Sequence, residues 1–374
     1  MLRKIKNFVL DILEAFVIKK NRILNKQFIP NIYKSINIEN TSICNLGCKF
    51  CGYHKRDNDI HPLKTMSQND FINSVNQAIK LGYKNIGLSP TTGDVFMDKS
   101  FFEKASYLEN IPALDGYYFY TNFIPIKTND INKLIKLKKL DFLGISIYGH
   151  DLDTFVRLAD SSKNAYQILL KNLRELNFLV SKNNLKFKIL IGHRSTKNFK
   201  LNDPSTQSDL IVEVKKLLQN KKIEYEFTAE YNNWGGIISD QDIKNLNIKL
   251  NKKPLKKDGS CSLIYSRMII GSNGEVNACA CRDANYTLSI GNIFKTDLKD
   301  ILSSGNKKYT ELIERQEKND FPDVCQSCDF YSSIYSFRHK TGYVKRKETE
   351  KFMDLKKYKE ILEKRENEKK LSKV

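Results

Sequence analysis

The sequence predicts an α/β fold wound around a parallel sheet, followed by a small cysteine-bearing region. Two observations carry that reading. Between about Ser35 and Asn232, short β-rich runs alternate with longer amphipathic runs. The eight cysteines fall in two groups, Cys44 to Cys51 and Cys261 to Cys328, with none between them. A chain of 374 residues with 40% hydrophobic residues has material for one large domain and an appendage.

Taken in order, residues 1–34 form an N-terminal amphipathic helical segment. Its apolar run from Phe8 to Ile18 follows Arg3, Lys4 and Lys6 but contains Asp11 and Glu14, which argues against a signal peptide. The helix is expected to dock on its own protein, with a membrane surface as the less favoured contact. Strands are predicted at Ile36–Ile43, Asn85–Leu88, Tyr117–Tyr120, Phe142–Ile147, Phe187–Ile191 and Glu224–Thr228. Helices are predicted at Gln68–Leu81, Lys99–Glu109, Ile126–Leu137, Ala165–Lys182 and Gln207–Asn220. The near-continuous apolar strands of 35–242 suit either an open partial barrel or a doubly wound sheet. In both, ligands belong at the C-terminal strand ends. Residues 243–260, rich in Lys and Asn, read as a linker. In the cysteine-bearing region 261–334, Met268–Val276 reads as a hairpin turning at Asn273-Gly274. The charged tail, 335–374, has few apolar anchors and is expected to be helical, solvated and partly frayed.

The formal charge of +20 comes from basic residues spread along the chain rather than gathered in one patch, so no nucleic-acid partner is expected. With no export signal, the cysteines indicate a reducing, cytoplasmic setting and metal or redox work.

Cys44-Asn45-Leu46-Gly47-Cys48-Lys49-Phe50-Cys51 spells C-x3-C-x2-C at the end of the first strand. Three thiolates on so short a loop can wrap one corner of an iron–sulfur cube and leave one iron open. Zinc is the competing reading, with His54 or His61 as a fourth ligand. Ile38–Ile43 followed by this loop resembles the first strand and cluster loop of the radical S-adenosylmethionine (SAM) superfamily. The resemblance covers roughly Ser35 to Thr228 and implies a partial (β/α)6 barrel. It also implies a [4Fe–4S] cluster whose open iron chelates SAM, cleaved to a 5′-deoxyadenosyl radical that abstracts hydrogen from substrate.

By the same resemblance, Phe50 lies near the adenine and Gly93 and Asp94 grip the methionine amino group. Thr92 departs from the family's Gly-Gly-Glu-like pattern. Asn122 ends strand three, and Ser146 stands where the family often contacts ribose. An electron donor such as flavodoxin or ferredoxin is also implied.

Cys261, Cys279, Cys325 and Cys328 supply four thiolates, enough to close a site around a cubane or a structural zinc. Their spacing resembles the auxiliary-cluster domains called SPASM and, in shortened form, twitch. No cysteine follows Cys328, so one auxiliary [4Fe–4S] cluster is expected. Cys281 is left over, and is read as a spare, an alternative ligand or a hydrogen donor to a substrate radical. His193 and Arg194 after strand five, and Trp234 after strand six, are candidate substrate contacts: Arg for an anion, Trp for a sugar face.

The expected activity is oxidation of a small polar substrate such as a sugar or aminocyclitol. The rival readings are a radical epimerase using Cys281, a peptide-modifying maturase, and a non-catalytic iron–sulfur or zinc protein. Only about 34 residues precede strand one, too few for a separate leader-binding domain, which weighs against the maturase.

Overall fold

The computed structural model describes residues 2–251, 256–336 and 352–371. After α1 (Leu2–Ile23), strands and helices alternate through β1 (Ile36–Ile38), α2 (Gln68–Lys80), β2 (Asn85–Gly87), α3 (Phe101–Glu109) and β3 (Gly116–Thr121). The winding continues with α4 (Ile131–Ile135), β4 (Leu140–Tyr148), α5 (Leu152–Ala159), α6 (Lys163–Lys182), β5 (Lys188–Arg194), α7 (Asp209–Leu217) and β6 (Ile223–Thr228). A two-stranded pair, β7 (Glu230–Tyr231) and β8 (Lys249–Leu250), and α8 (Leu263–Ser266) lead to the hairpin strands β9 (Ile269–Ile270), β10 (Glu275–Asn277) and β11 (Ser289–Asn292). Four helices close the described chain: α9 (Leu298–Ile301), α10 (Lys307–Glu317), α11 (Asp323–Ser327) and α12 (Leu355–Leu371).

One sheet runs β11-β10-β9-β1-β2-β3-β4-β5-β6. Strands β1 to β6 are parallel and adjacent in chain order. Same-handed crossovers in that order put the helices between β1 and β6 on one face, which curls the sheet instead of winding it doubly. The strand order therefore decides between the two architectures in favour of the partial barrel. Its edges, β6 and β11, are not paired with each other.

Alternation sends Tyr117, Phe119, Leu143, Ile145, Ile147, Ile189 and Ile191 to the helix side, where all are fully buried. They meet the apolar stripes of the helices, such as Phe71, Val75 and Ala78 of α2 and Leu169, Leu173 and Leu176 of α6. Side-chain caps set the helix starts: Ser67 accepts from the Asp70 amide, Ser162 from Ala165 and Ser208 from Ile211, while Asp151 and Thr154 form a capping box.

Four expectations need correction. β1 stops at Ile38: the Glu39 amide still reaches Ile270 O, but Asn40–Ser42 turn to pair by backbone with residues 64–66 through the Thr41–Thr65 bridge. The short α5 was not anticipated. The segment read as a linker packs on the body within its described residues: Ile243, Leu246, Ile248, Asp258 and Ser260 are buried, and β8 pairs with β7. The tail is docked through α12, whose Tyr358, Leu362 and Arg365 are buried, with Arg365 Nη1 donating to Leu302 O at 2.9 Å. The tail residues 337–351 lie outside the described residues. At the other terminus α1 packs on the body through Ile18, Asn21 and Arg22, with Asn21 Nδ2 donating to Tyr335 O at 2.8 Å and Arg22 pairing with Asp258.

Candidate active site

β1 delivers the chain into the first cysteine loop at the C-terminal edge of the sheet. The loop is tied internally. The Cys44 amide donates to Tyr53 Oη at 3.1 Å and the Cys51 amide to Cys48 O at 2.9 Å. The Gly47 amide reaches Ala159 O at 3.0 Å, and a β-carbon at Gly47 would stand 3.0 Å from Asp160 O. Glycine is what lets the loop lie on the end of α5.

Cys48 is buried, and Cys44 and Cys51 beside it are half-buried. Burial pushes Cys44 up to about 12 and Cys51 up to about 11. Cys48 is raised by burial first and then by the charges of Cys51 and Cys44. Such a trio resists ionisation until a cation sits among it, which is the condition an iron–sulfur core supplies. Arg194, on the inner face of β5, is the guanidinium whose charge opposes the rise at both Cys48 and Cys51. Phe50 packs between Tyr231 and Tyr148, with ring centroids at 4.4 and 5.3 Å.

The β2 and β3 ends converge on the same loop. Gly93 holds φ +151, and a β-carbon there would stand 3.1 Å from Thr41 O and Ile43 O. The Asp94 amide donates to Ile43 O at 2.9 Å. The buried Asp94 carboxylate accepts from the Asn122 amide at 2.7 Å, the Phe96 amide at 3.0 Å and Thr121 Oγ1 at 3.0 Å. Burial nevertheless raises its pKa to about 6. Asn122 Nδ2 continues the chain of contacts to Asn45 Oδ1 in the cysteine loop at 2.8 Å. Ser146 stands opposite Gly192 in the β4–β5 ladder, on the inner face with Tyr148 and Arg194.

One expected substrate contact lies elsewhere. His193 alternates with Arg194 and so faces the helices, fully buried. Its Nε2 donates to Gly149 O at 2.8 Å, Nδ1 accepts from Tyr225 Oη at 2.8 Å, and burial lowers its pKa to about 4. Trp234 is half-buried, and its indole N–H donates to Phe50 O at 3.0 Å, tying the cysteine loop to the chain beyond β6.

The C-terminal thiols gather from three segments. Cys261 precedes α8, Cys279 and Cys281 follow β10, and Cys325 and Cys328 sit on and after α11. The buried Gln316 links two of them, its Oε1 accepting from the Cys261 amide at 2.8 Å and its Nε2 donating to Cys325 Sγ at 3.3 Å. The Phe330 amide donates to Cys328 Sγ at 3.2 Å. Burial raises Cys261 to about 12 and also raises Cys325 and Cys328. Cys281 joins this set. It shares a hydrogen bond with Cys279 that pulls Cys281 down and pushes Cys279 up, and Arg282 and Arg267 favour the Cys281 thiolate further. Thiolates that repel one another, with amide donors already aimed at their sulfurs, fit a bound iron–sulfur core. Among the described residues, no three Cys, His, Asp or Glu side chains converge as a single metal ion requires.

Sequence reasoning missed the group that joins the two regions. Glu39 and His61 are fully buried and hydrogen-bonded at 2.8 Å. The Glu39 carboxylate also accepts from the Thr91 amide at 3.2 Å and Ser272 Oγ at 3.1 Å, and Tyr286 stacks on His61 at 3.9 Å. Burial alone would raise the Glu39 pKa, but the His61 hydrogen bond and charge, with Ser272, lower it. Arg56 Nη1 donates to Ser42 O at 3.0 Å and to Thr92 Oγ1 at 2.9 Å, which gives the departing Thr92 its role. No local spacing signals these pairs, because their partners are 14 to 233 residues apart.

Comparison with known proteins agrees with this geometry. A model of the radical SAM superfamily matches residues 38–194, and a model of an iron–sulfur cluster-binding domain, SPASM, matches residues 261–329. The chain belongs to the radical SAM superfamily and carries a C-terminal SPASM region. As such it is an enzyme that binds a [4Fe–4S] cluster with SAM and an auxiliary cluster. Its fold resembles that of BtrN, crystallised with AdoMet and 2-DOIA, at 15% identity and a TM-score of 0.51 over 83% of this chain and 98% of that one. It also resembles Streptococcus suis SuiB bound to precursor peptide SuiA, at 16% identity and a TM-score of 0.51 over 92% of this chain and 81% of that one. No curated protein sequence matches the chain.

Proposed function

We propose that this enzyme dehydrogenates a small polar substrate such as a sugar or aminocyclitol. The observation that carries the reading is the inner face of the sheet. Tyr118 lies over Gly87 and Tyr120 over Gly144, where any β-carbon would collide with the phenol rings, so the floor of the lumen is filled. Above it remain Tyr148 and Arg194, a compact polar lining suited to a hydroxyl group and an anionic or carbonyl substituent. The likeness to BtrN with the small molecule 2-DOIA supports the same reading.

Cys44, Cys48 and Cys51 hold the first cluster, and the bound cofactors supply hydrogen-atom abstraction. In this reading Phe50 offers a wall to the adenine, Asp94 and Gly93 the amino-group site, Asn122 orients the cysteine loop, and Ser146 meets the ribose. Once one hydrogen atom has been abstracted, completing the oxidation releases an electron and a proton: a cluster held by Cys261, Cys279, Cys325 and Cys328 would accept the electron, and the proton would pass to water. The hydrogen bond between Cys281 and Cys279 supports reading Cys281 as a spare or alternative ligand rather than a donor in the lumen.

The test is 5′-deoxyadenosine release after anaerobic reconstitution, with aminocyclitols and sugars in one panel and peptides in another. Stimulation by the first panel, with a product lighter by two hydrogens, is expected from the wild type and not from Cys44/Cys48/Cys51→Ala. Turnover of peptides alone would replace the proposal with the maturase reading that the likeness to SuiB favours. Absence of 5′-deoxyadenosine from the wild type would remove both.

A further inference from the structure

The N-terminal helix is mounted the wrong way round for a helix that only stabilises its own protein. Its docked face is the polar one. Glu14 Oε1 accepts from Ser336 Oγ at 2.8 Å, Asn21 donates to Tyr335 O, and Arg22 donates to Asn319 Oδ1 at 3.1 Å, with Ile18 the buried apolar residue among them. The opposite face carries Val9, Ile12, Leu13, Phe16 and Ile23, continued past the helix end by Leu24. These six are between 47% and 76% exposed. Spacings of three, four and seven set them in one stripe half a turn away from Ile18 and Asn21.

Charge tells what the stripe meets. Among the described residues, the other exposed ones on this face are Lys19 and Lys20, while both acids of α1, Asp11 and Glu14, lie on the docked side. Arg3, Lys4 and Lys6 add basic charge at its start, on a chain of net charge +20. A second copy of this face would bring lysines against lysines. A surface of acidic lipid headgroups over acyl chains complements both the apolar stripe and its lysines. No described helix is long and apolar enough to cross a membrane, so the contact is along the surface.

We propose that α1 docks this enzyme on anionic membranes, its Val9–Leu24 stripe entering the headgroup layer with Lys19 and Lys20 reaching up to phosphates. This holds whichever substrate the lumen takes.

The experiment is co-sedimentation of the reconstituted holoenzyme with phosphatidylcholine vesicles, with and without phosphatidylglycerol. Binding is expected on the phosphatidylglycerol vesicles and should weaken as salt is raised. Ile12→Glu/Phe16→Glu should lower the partition about tenfold or more, with iron content and SAM cleavage unchanged because both side chains face solvent. Lys19→Glu/Lys20→Glu should remove the preference for phosphatidylglycerol. No co-sedimentation, or equal binding to both vesicles, would overturn the proposal. So would a dimer in light scattering that Ile12→Glu/Phe16→Glu dissociates, since the face would then belong to a second copy.

Discussion

Asp94 and His193 show how burial drives an acid and a base in opposite directions. His193 is held near a pKa of about 4, below its unfolded value of about 6.5. Between those values the unfolded chain binds a proton that the folded chain refuses, so stability is lost as pH falls across the window, by up to about 3 kcal/mol. Chemical denaturation across that range should show this slope in the wild type and a flatter one in His193→Gln. Asp94 has the reverse sign. Its folded pKa of about 6 lies above the unfolded 3.8, so its burial costs stability increasingly as pH rises through that interval. A cation beside Asp94 removes the cost. SAM should therefore raise the melting temperature more above about pH 6 than below it, and Asp94→Asn should weaken SAM affinity about tenfold or more. Equal SAM affinity in Asp94→Asn would take the amino-group role away from this residue. At this scale the cysteines were legible because a thiolate loop is a local device. His193 was misread because its side depends on strand register, which one position reverses.

Among the elements, the turn after β7 joins the two cysteine regions by contact. Trp234 grips Phe50 O, while Gly235, at φ +65, and Gly236, at φ +99, pack against Val324 and Ser327 on α11. Gly235→Ala would strain the left-handed backbone and drive its methyl into Val324, next to Cys325. It should cost about 1–3 kcal/mol and release the auxiliary iron before the first cluster's, which iron analysis against Cys44/Cys48/Cys51→Ala resolves. Simultaneous loss of both clusters would show that the turn has no selective hold on α11. The strand and helix runs of the barrel were readable from apolar periodicity, and the Asn273-Gly274 turn from its dipeptide. α5 escaped notice because eight residues give little more than two turns of pattern. α12 was misjudged for the opposite reason. Its charged residues dominate the sequence, yet Tyr358, Leu362 and Arg365 recur at helical spacing and are enough to seat it.

Across the whole molecule, the buried Glu39 carboxylate ties the Thr91 turn of the barrel to Ser272 of the C-terminal hairpin and to His61. Glu39→Ala leaves these donors without an acceptor inside the protein and should lower stability by about 3–5 kcal/mol. Calorimetry should show one transition moving as a unit. Two separated transitions would mean that the regions fold independently. This tie was invisible in the sequence, since nothing local marks Glu39 as the partner of residues so far along the chain.

The same dependence has a consequence in time. β1 is flanked by β2 on one side and β9 on the other, with Asn37 and Ile38 registered against Ile269 and Ile270. During synthesis from the N-terminus, the outer edge of β1 stays open until Ile270 has left the ribosome. The barrel, with its first cysteine loop immediately after β1, is therefore finished only once the hairpin of the second region is made. A nascent chain of this protein has to be kept from pairing that edge with another strand for most of its translation.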